Sequence, residues 1–144
     1  PNYANAFSHR SSIRHHLGDL NEALEDIDQA LTLNKNLASA YAQRGRIHMD
    51  LRSYEQALTD YNQALKLQPD EAHTLNERSV LRFRLNDLDG ALADVNRALE
   101  LQPQFPDAYI NRSLIRFDRG DRSGALQDID IVMTLHQQRA TQAS

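Results

Sequence analysis

The chain has 144 residues, 40% of them hydrophobic and 6% aromatic, a composition that is lean for one compact core and suits a thin, elongated body. Its net charge of -4 gives no general attraction to nucleic acid or to an anionic membrane. It contains no cysteine, which excludes disulfides, thiolate metal sites and a cysteine nucleophile. No apolar run approaches the roughly 18 residues that span a bilayer. We therefore expect no nucleic-acid partner and no insertion into a membrane.

An internal repeat runs along the chain. Its anchor is an alanine that returns every 34 residues, at Ala23, Ala57, Ala91 and Ala125. A second column lies seven residues further on, at Ala30, Ala64, Ala98 and Val132. Four consecutive matches without a gap indicate a repeat architecture. The units are 4–37, 38–71, 72–105 and 106–139.

Each unit predicts two helices joined by a tight turn, as the third unit illustrates. Residues 72–85 contain neither Gly nor Pro, and their leucines recur at helical spacing. Asp87 can cap the next helix, whose apolar positions extend over 88–101 before Pro103 prevents continuation. The sequence therefore predicts an all-α fold of antiparallel helix pairs.

Two further columns complete the pattern, counted from the first residue of each unit. The fourth position is large, at Phe7, Tyr41, Leu75 and Tyr109. The eighth is small, at Ser11, Gly45, Ser79 and Ser113. With the alanines and the 34-residue period, the pattern resembles the tetratricopeptide repeat (TPR) family over nearly the whole chain. The resemblance implies one domain over 1–144, an α-α superhelix (a right-handed solenoid of antiparallel helix pairs) whose concave groove binds a protein or peptide.

Arginine at the seventh position departs from the family pattern. It is present in all four units, at Arg10, Arg44, Arg78 and Arg112. The twenty-third position is aspartate in all four, at Asp26, Asp60, Asp94 and Asp128. Antiparallel helices joined near the fifteenth position bring together positions whose numbers sum to about thirty, so each arginine should meet the aspartate of its own unit. We expect four salt bridges; the alternative is an arginine ladder that grips an anionic ligand.

The eleventh position departs from the family in the same way. It holds Arg14, His48, Arg82 and Arg116. We expect this column to extend the ion pairs toward Asp19, Asp87 and Asp121, with contact to a partner as the alternative.

Motifs for chemistry are missing from the sequence. His9 and His16 lie two helical turns apart, roughly 10 Å, which is too far to share one ion without other ligands. There is no HExxH motif and no Gly-rich loop that could cradle phosphate. We therefore expect no catalytic residues, no metal site and no cofactor, and we do not expect an enzyme.

Groove residues predict where a partner binds. In the family's superhelix the fifth, ninth and twelfth positions of the first helices line the groove. These are small or polar on the whole in the first two units, at Ser8, Ser12, His15, Ala42, Arg46 and Met49. In the last two they become Asn76, Val80, Phe83, Ile110, Leu114 and Phe117. We expect an apolar or amphipathic peptide to bind there, with Asn76 and Asn111 supplying hydrogen bonds at its margin. The alternative is that Phe83 and Phe117 pack between neighbouring first helices.

The sequence leaves several hypotheses about the function. The leading one is a protein–protein interaction scaffold, and the alternative is a regulatory or substrate-docking domain of a larger enzyme. Nucleic-acid binding by helical repeats is disfavoured by the acidic balance. Family members that clamp chaperone tails use Lys, Asn and Arg at positions where this chain has Ser8, Ser12, Gln43, His73 and Glu77, so such a clamp is not expected.

The two ends of the sequence also predict that the chain is a segment of a longer array of repeats. Pro1-Asn2-Tyr3 matches the closing positions of a unit, and Ile131 stands where earlier units are polar. Repeat stacks usually end in a polar capping helix, so we expect the last helix to expose an apolar face or to self-associate end to end. The compartment is left open, with the cytoplasm as the expectation.

Overall fold

The computed structural model describes residues 3–143, which form eight α-helices and no strand. The helices are α1 (Tyr3–Leu17), α2 (Leu20–Leu33), α3 (Ala38–Asp50), α4 (Tyr54–Leu67), α5 (Ala72–Arg84), α6 (Leu88–Leu101), α7 (Pro106–Asp118) and α8 (Arg122–Gln142). They form two compact halves, Pro1–Pro69 with α1 to α4 and Asp70–Ser144 with α5 to α8. Below, the first and second units are these two halves, and the 34-residue segments are called repeats. Within both units, consecutive helices pair as the repeat predicts. Pro1 and Asn2, which belong to the predicted closing positions, lie outside the described residues.

The turn inside every repeat depends on one residue with left-handed backbone geometry. The fifteenth position has a positive φ in all four repeats, at Gly18, Arg52, Asn86 and Gly120. Glycine adopts this geometry without steric cost, and asparagine tolerates it better than most other residues. In the third repeat the predicted cap is confirmed, because the Asp87 carboxylate accepts a hydrogen bond from the Gly90 amide at 3.0 Å. The turn residues therefore set where the second helix of each repeat begins.

The core of each unit is built from small and branched side chains. In the first unit α2 and α3 bury Ala23, Ile27, Ala30, Leu31, Ala40 and Ile47. In the second unit α6, α7 and their connection bury Ala91, Val95, Leu99, Phe105, Ala108 and Ile115. The alanines allow close approach of the backbones, and the branched residues fill the remaining space.

The small eighth position lets the two helices of a repeat approach closely. Ser11 Oγ donates a hydrogen bond to the Ala23 carbonyl at 2.7 Å, and Ser79 Oγ does the same to Ala91 at 2.7 Å. In the second repeat this position is Gly45, and a Cβ there would lie 2.9 Å from Cε1 of Tyr61. The absent side chain therefore makes room for the buried tyrosine ring.

The predicted arginine–aspartate pairs are confirmed in all four repeats. The Nη2 to Oδ1 distances are 2.7 Å for Arg10–Asp26, 2.8 Å for Arg44–Asp60, 2.7 Å for Arg78–Asp94 and 2.7 Å for Arg112–Asp128. Each arginine also donates from Nε to the other carboxylate oxygen, giving a bidentate contact. The aspartates are buried. These pairs therefore fasten the second helix of each repeat to the first.

Two of these arginines also connect successive repeats. Arg44 Nη1 on α3 donates to Asp28 on α2 at 3.0 Å, and Arg112 Nη1 on α7 donates to Asn96 on α6 at 3.0 Å. Each of these two arginines therefore joins three helices: its own, the preceding one and the following one. The hydrogen bond that Arg44 donates to Asp60 is the largest of the effects that raise the pKa of Arg44 above its ordinary value. Likewise, the hydrogen bond from Arg10 lowers the pKa of Asp26, against the opposing effect of burial.

The eleventh-position arginines pair most closely with an aspartate that was not predicted for them. Nη1 of Arg14, Arg82 and Arg116 lies 2.9, 2.9 and 3.0 Å from the buried aspartate of the same repeat, at Asp26, Asp94 and Asp128. The predicted ion pairs with Asp87 and Asp121 are also present but longer, at 3.7 and 3.9 Å from the Nε atoms of Arg82 and Arg116. The buried aspartate is the closer partner because two cations beside one buried carboxylate compensate its desolvation better than one.

Candidate functional site

An exposed row of apolar side chains follows one face of α7. Ile110, Leu114 and Phe117 are spaced four and three residues apart, which places them one above another on the helix. They are 41%, 52% and 60% exposed, respectively. The opposite face of α7 is buried through Ala108 and Ile115. We call the three exposed residues the α7 stripe.

The neighbouring helix α5 supplies two partly buried apolar residues, Val80 and Phe83. Phe83 packs against the core cluster of the second unit. The alternative expectation, that the two phenylalanines pack between first helices, therefore fits Phe83. Phe117 remains largely exposed.

Asn76 and Asn111 are buried beside the stripe, contrary to the exposed placement that the groove pattern suggested. Asn111 Nδ2 donates hydrogen bonds to Asn76 Oδ1 at 3.2 Å and to Ser79 Oγ at 3.0 Å. These contacts join α5 to α7. The amide pair therefore holds the spacing of the two helices that carry the apolar residues.

The corresponding surface of the first unit is polar in character. Ser8 Oγ on α1 donates to Gln43 Oε1 on α3 at 3.0 Å, and Gln43 Nε2 returns a hydrogen bond to the Ser8 carbonyl at 3.0 Å. His15 Nε2 lies 2.6 Å from Asp50 Oδ2. The first-unit residues at these positions therefore bond to one another, and the exposed apolar residues Ile13 and Leu17 of α1 lie at other positions of the repeat.

Residues 3–143 contain neither a metal-binding cluster nor a membrane-spanning helix. No group of three or more His, Asp or Glu side chains is arranged to hold a metal ion there. No helix in that range combines the length and apolar character needed to cross a membrane.

Comparison with known proteins identifies the repeat. Family models described as tetratricopeptide repeat match residues 45–116 and 4–37. The chain belongs to the tetratricopeptide repeat family, as its pattern predicted. A comparison with curated proteins finds no match.

Solved structures share the fold. A crystal structure of MamA superimposes with a TM-score of 0.89 and 18% identity, covering 98% of this chain and 82% of MamA. A tetratricopeptide repeat protein from Parabacteroides merdae superimposes with a TM-score of 0.84 and 22% identity, covering 95% of this chain and 55% of that one. The first TPR of Spaghetti (RPAP3), bound to an HSP90 peptide, superimposes with a TM-score of 0.80 and 21% identity, covering 83% of this chain and 94% of that one. At these identities the likeness shows the fold alone, an all-α helical solenoid.

Proposed function

We propose that the protein is an interaction scaffold that binds an apolar or amphipathic peptide segment of a partner protein on the α7 stripe. The observation that carries the proposal is the exposure of Ile110, Leu114 and Phe117 in one row. Contiguous exposed apolar surface on a protein usually marks an interaction site. A peptide helix with its own apolar row fits such a surface.

The buried amide pair supports this function indirectly. Because Asn111 is bonded to Asn76 and Ser79, its side chain is committed to joining α5 and α7. We assign Asn76 and Asn111 to positioning the binding surface, and Val80 and Phe83 to its margin on α5. The tetratricopeptide fold suggests such a role, and the Spaghetti relative was solved with a bound peptide.

A peptide selection tests the site. A displayed library of random helical and extended peptides is selected on the protein, and an enriched peptide is then titrated while backbone amide resonances are recorded. We expect the largest shifts at Ile110, Leu114 and Phe117. Shifts confined to the first unit would contradict the proposed site.

A second surface supports the expected self-association. On α8, Leu126 and Met133 are 68% and 57% exposed, and Ile129 between them is also exposed. The residues at the positions of Ile129 and Met133 in the first repeat, Ile27 and Leu31, are buried against α3. We propose that this α8 face stacks end to end on a second copy of the chain.

A further inference from the structure

Three of the four repeats hold a guanidinium in one recurring place. Nη1 of Arg14, Arg82 and Arg116 donates to the buried aspartate of its own repeat at 2.9, 2.9 and 3.0 Å. The same atom donates to a backbone carbonyl on the second helix, that of Glu22, Gly90 or Gly124, at 3.4, 3.4 and 3.2 Å. The fold therefore builds a guanidinium position from one carboxylate and one carbonyl.

The second repeat has the same framework without the guanidinium. His48 replaces the arginine, and its Nε2 stops 3.7 Å from Asp60 Oδ2, beyond hydrogen-bond reach. Its Nδ1 is buried and has no hydrogen-bond partner among the described residues. The imidazole is too short to take the place of the arginine fork.

A cavity lies where the missing guanidinium would be. It has a volume of about 380 Å³, and its lining residues are Arg44, His48, Glu55, Gln56, Thr59 and Asp60. Gln56 stands at the position of Glu22, Gly90 and Gly124, whose carbonyls bind arginine in the other repeats. A guanidinium group displaces only about two to three water volumes of ~30 Å³ each, so the cavity has room for it.

The charges around the cavity also favour a cation. Asp26, Asp94 and Asp128 each bind two arginines, whereas Asp60 binds Arg44. Burial, more than any other effect, lowers the pKa of His48, which favours a neutral imidazole beside Asp60. Glu55 contributes a second carboxylate to the lining. The second repeat therefore carries one positive charge fewer around the same buried carboxylate.

We propose that this His48 cavity is a guanidinium-binding site that takes an arginine side chain of a partner protein. The arginine would donate to Asp60 and to the Gln56 carbonyl, as Arg14 does within its own repeat to Asp26 and Glu22. One guanidinium nitrogen with two N–H groups in a fixed plane donates to both acceptors at once, as Nη1 does in the other repeats, whereas an ammonium is a point charge with a stronger hydration shell. The site lies on α3 and α4 and is independent of the α7 stripe.

The test is a titration with blocked amino acids that mimic residues in a peptide. N-acetyl-arginine amide is added to the 144-residue protein at constant ionic strength, and the backbone amide resonances of Glu55, Gln56 and Thr59 are followed. The lysine and citrulline analogues serve as a point-charge control and a neutral isostere. We expect saturable shifts with the arginine compound, at least tenfold weaker binding of the lysine compound, and no saturation with citrulline.

A matched variant fills the site from within. His48→Arg restores the arrangement of the other repeats and should abolish the response to N-acetyl-arginine amide. Absence of saturation in the wild type would overturn the proposal, as would equal responses to all three compounds or an unchanged response in folded His48→Arg. The wild-type comparison needs no substitution, so it decides the question even where the variant is unstable.

Discussion

Asp128 on α8 is fully buried and receives hydrogen bonds from Arg112 on α7, with Nη2 to Oδ1 at 2.7 Å and Nε to Oδ2 at 3.0 Å. Arg116 adds a third at 3.0 Å. These charge-assisted hydrogen bonds compensate the carboxylate for its removal from water. The contact between Arg112 and Asp128 recurs between the equivalent residues of every repeat and makes each helix pair dependent on one aspartate.

Replacing that aspartate should destabilise the second unit. Asp128→Asn keeps the shape but leaves two partly buried guanidinium groups without their counter-charge, and we expect a loss of about 2–4 kcal/mol in the free energy of unfolding. Urea denaturation followed by circular dichroism measures it. Asp130→Asn, at an exposed position on the same helix, should change it by less than about 0.5 kcal/mol. Equal effects of the two substitutions would refute the structural role of the ion pairs.

A second prediction concerns the fit between Gly45 and Tyr61. An added Cβ at Gly45 would approach the buried tyrosine ring to 2.9 Å, so Gly45→Ser should cost about 1–3 kcal/mol by overpacking. The first repeat combines Ser11 with Ile27 at the same two positions. Combining Gly45→Ser with Tyr61→Ile should therefore be less damaging than the sum of the single changes. Additive free energies of unfolding in this double-mutant cycle would argue against the fit.

The free energy of unfolding should depend on pH through His48. Its pKa is lowered, mainly by burial and also by the charge of Arg44, while Asp60 and Asp28 act in the opposite direction. The folded chain therefore binds the proton less readily than the unfolded chain, whose histidine has a pKa of about 6.5. This contribution is complete above about pH 7 and is lost as the pH falls through about 6.5 toward the lowered pKa.

His48→Gln removes this titration and serves as the comparison. Urea midpoints of the wild type and the variant should converge or cross as the pH is lowered from about 7.5 to about 5, because only the wild type loses the histidine contribution. Parallel profiles over that range would mean that His48 does not titrate differently in the folded chain.

The α8 face should drive self-association at high protein concentration. Leu126→Glu with Met133→Glu places charges on two exposed positions, so the fold should persist while stacking is lost. Sedimentation velocity over a concentration series measures the outcome. Ile13→Glu, at an exposed residue of α1, asks whether that end of a second copy is the counterpart. A wild type that stays monomeric at every concentration would exclude this interface.

The sequence predicted the helix pairs and the four Arg–Asp bridges because these features recur in phase with the period. Arg44 and Asp60 are sixteen residues apart, as are their equivalents in the other repeats. A rule that sums positions was sufficient to place them together. The same rule did not predict that the guanidinium of Arg82 lies closer to Asp94 than to Asp87, because helical register alone does not determine how far a guanidinium reaches.

Two features could not be predicted from the sequence, one beside the α7 stripe and one at the His48 cavity. Asn76 and Asn111 occupy first-helix positions next to the groove, and only the spacing of α5 and α7 shows that they bind each other. The cavity at His48 becomes meaningful only when the arginines of the other repeats have been seen in place. In the sequence, a histidine in place of an arginine gives no sign of the space that it leaves.

The central claim is that the α7 stripe binds a partner peptide, and the affinity of a selected peptide tests it most directly. The protein with Leu114→Ser and Phe117→Ser is compared with the wild type and with Leu126→Ser, which removes an even more exposed apolar residue on α8. Circular dichroism first establishes that all three are folded. The account predicts at least tenfold weaker binding for the double variant, since about 1.4 kcal/mol of lost contact gives that factor, and unchanged binding for Leu126→Ser. A folded double variant that retains wild-type affinity would contradict it.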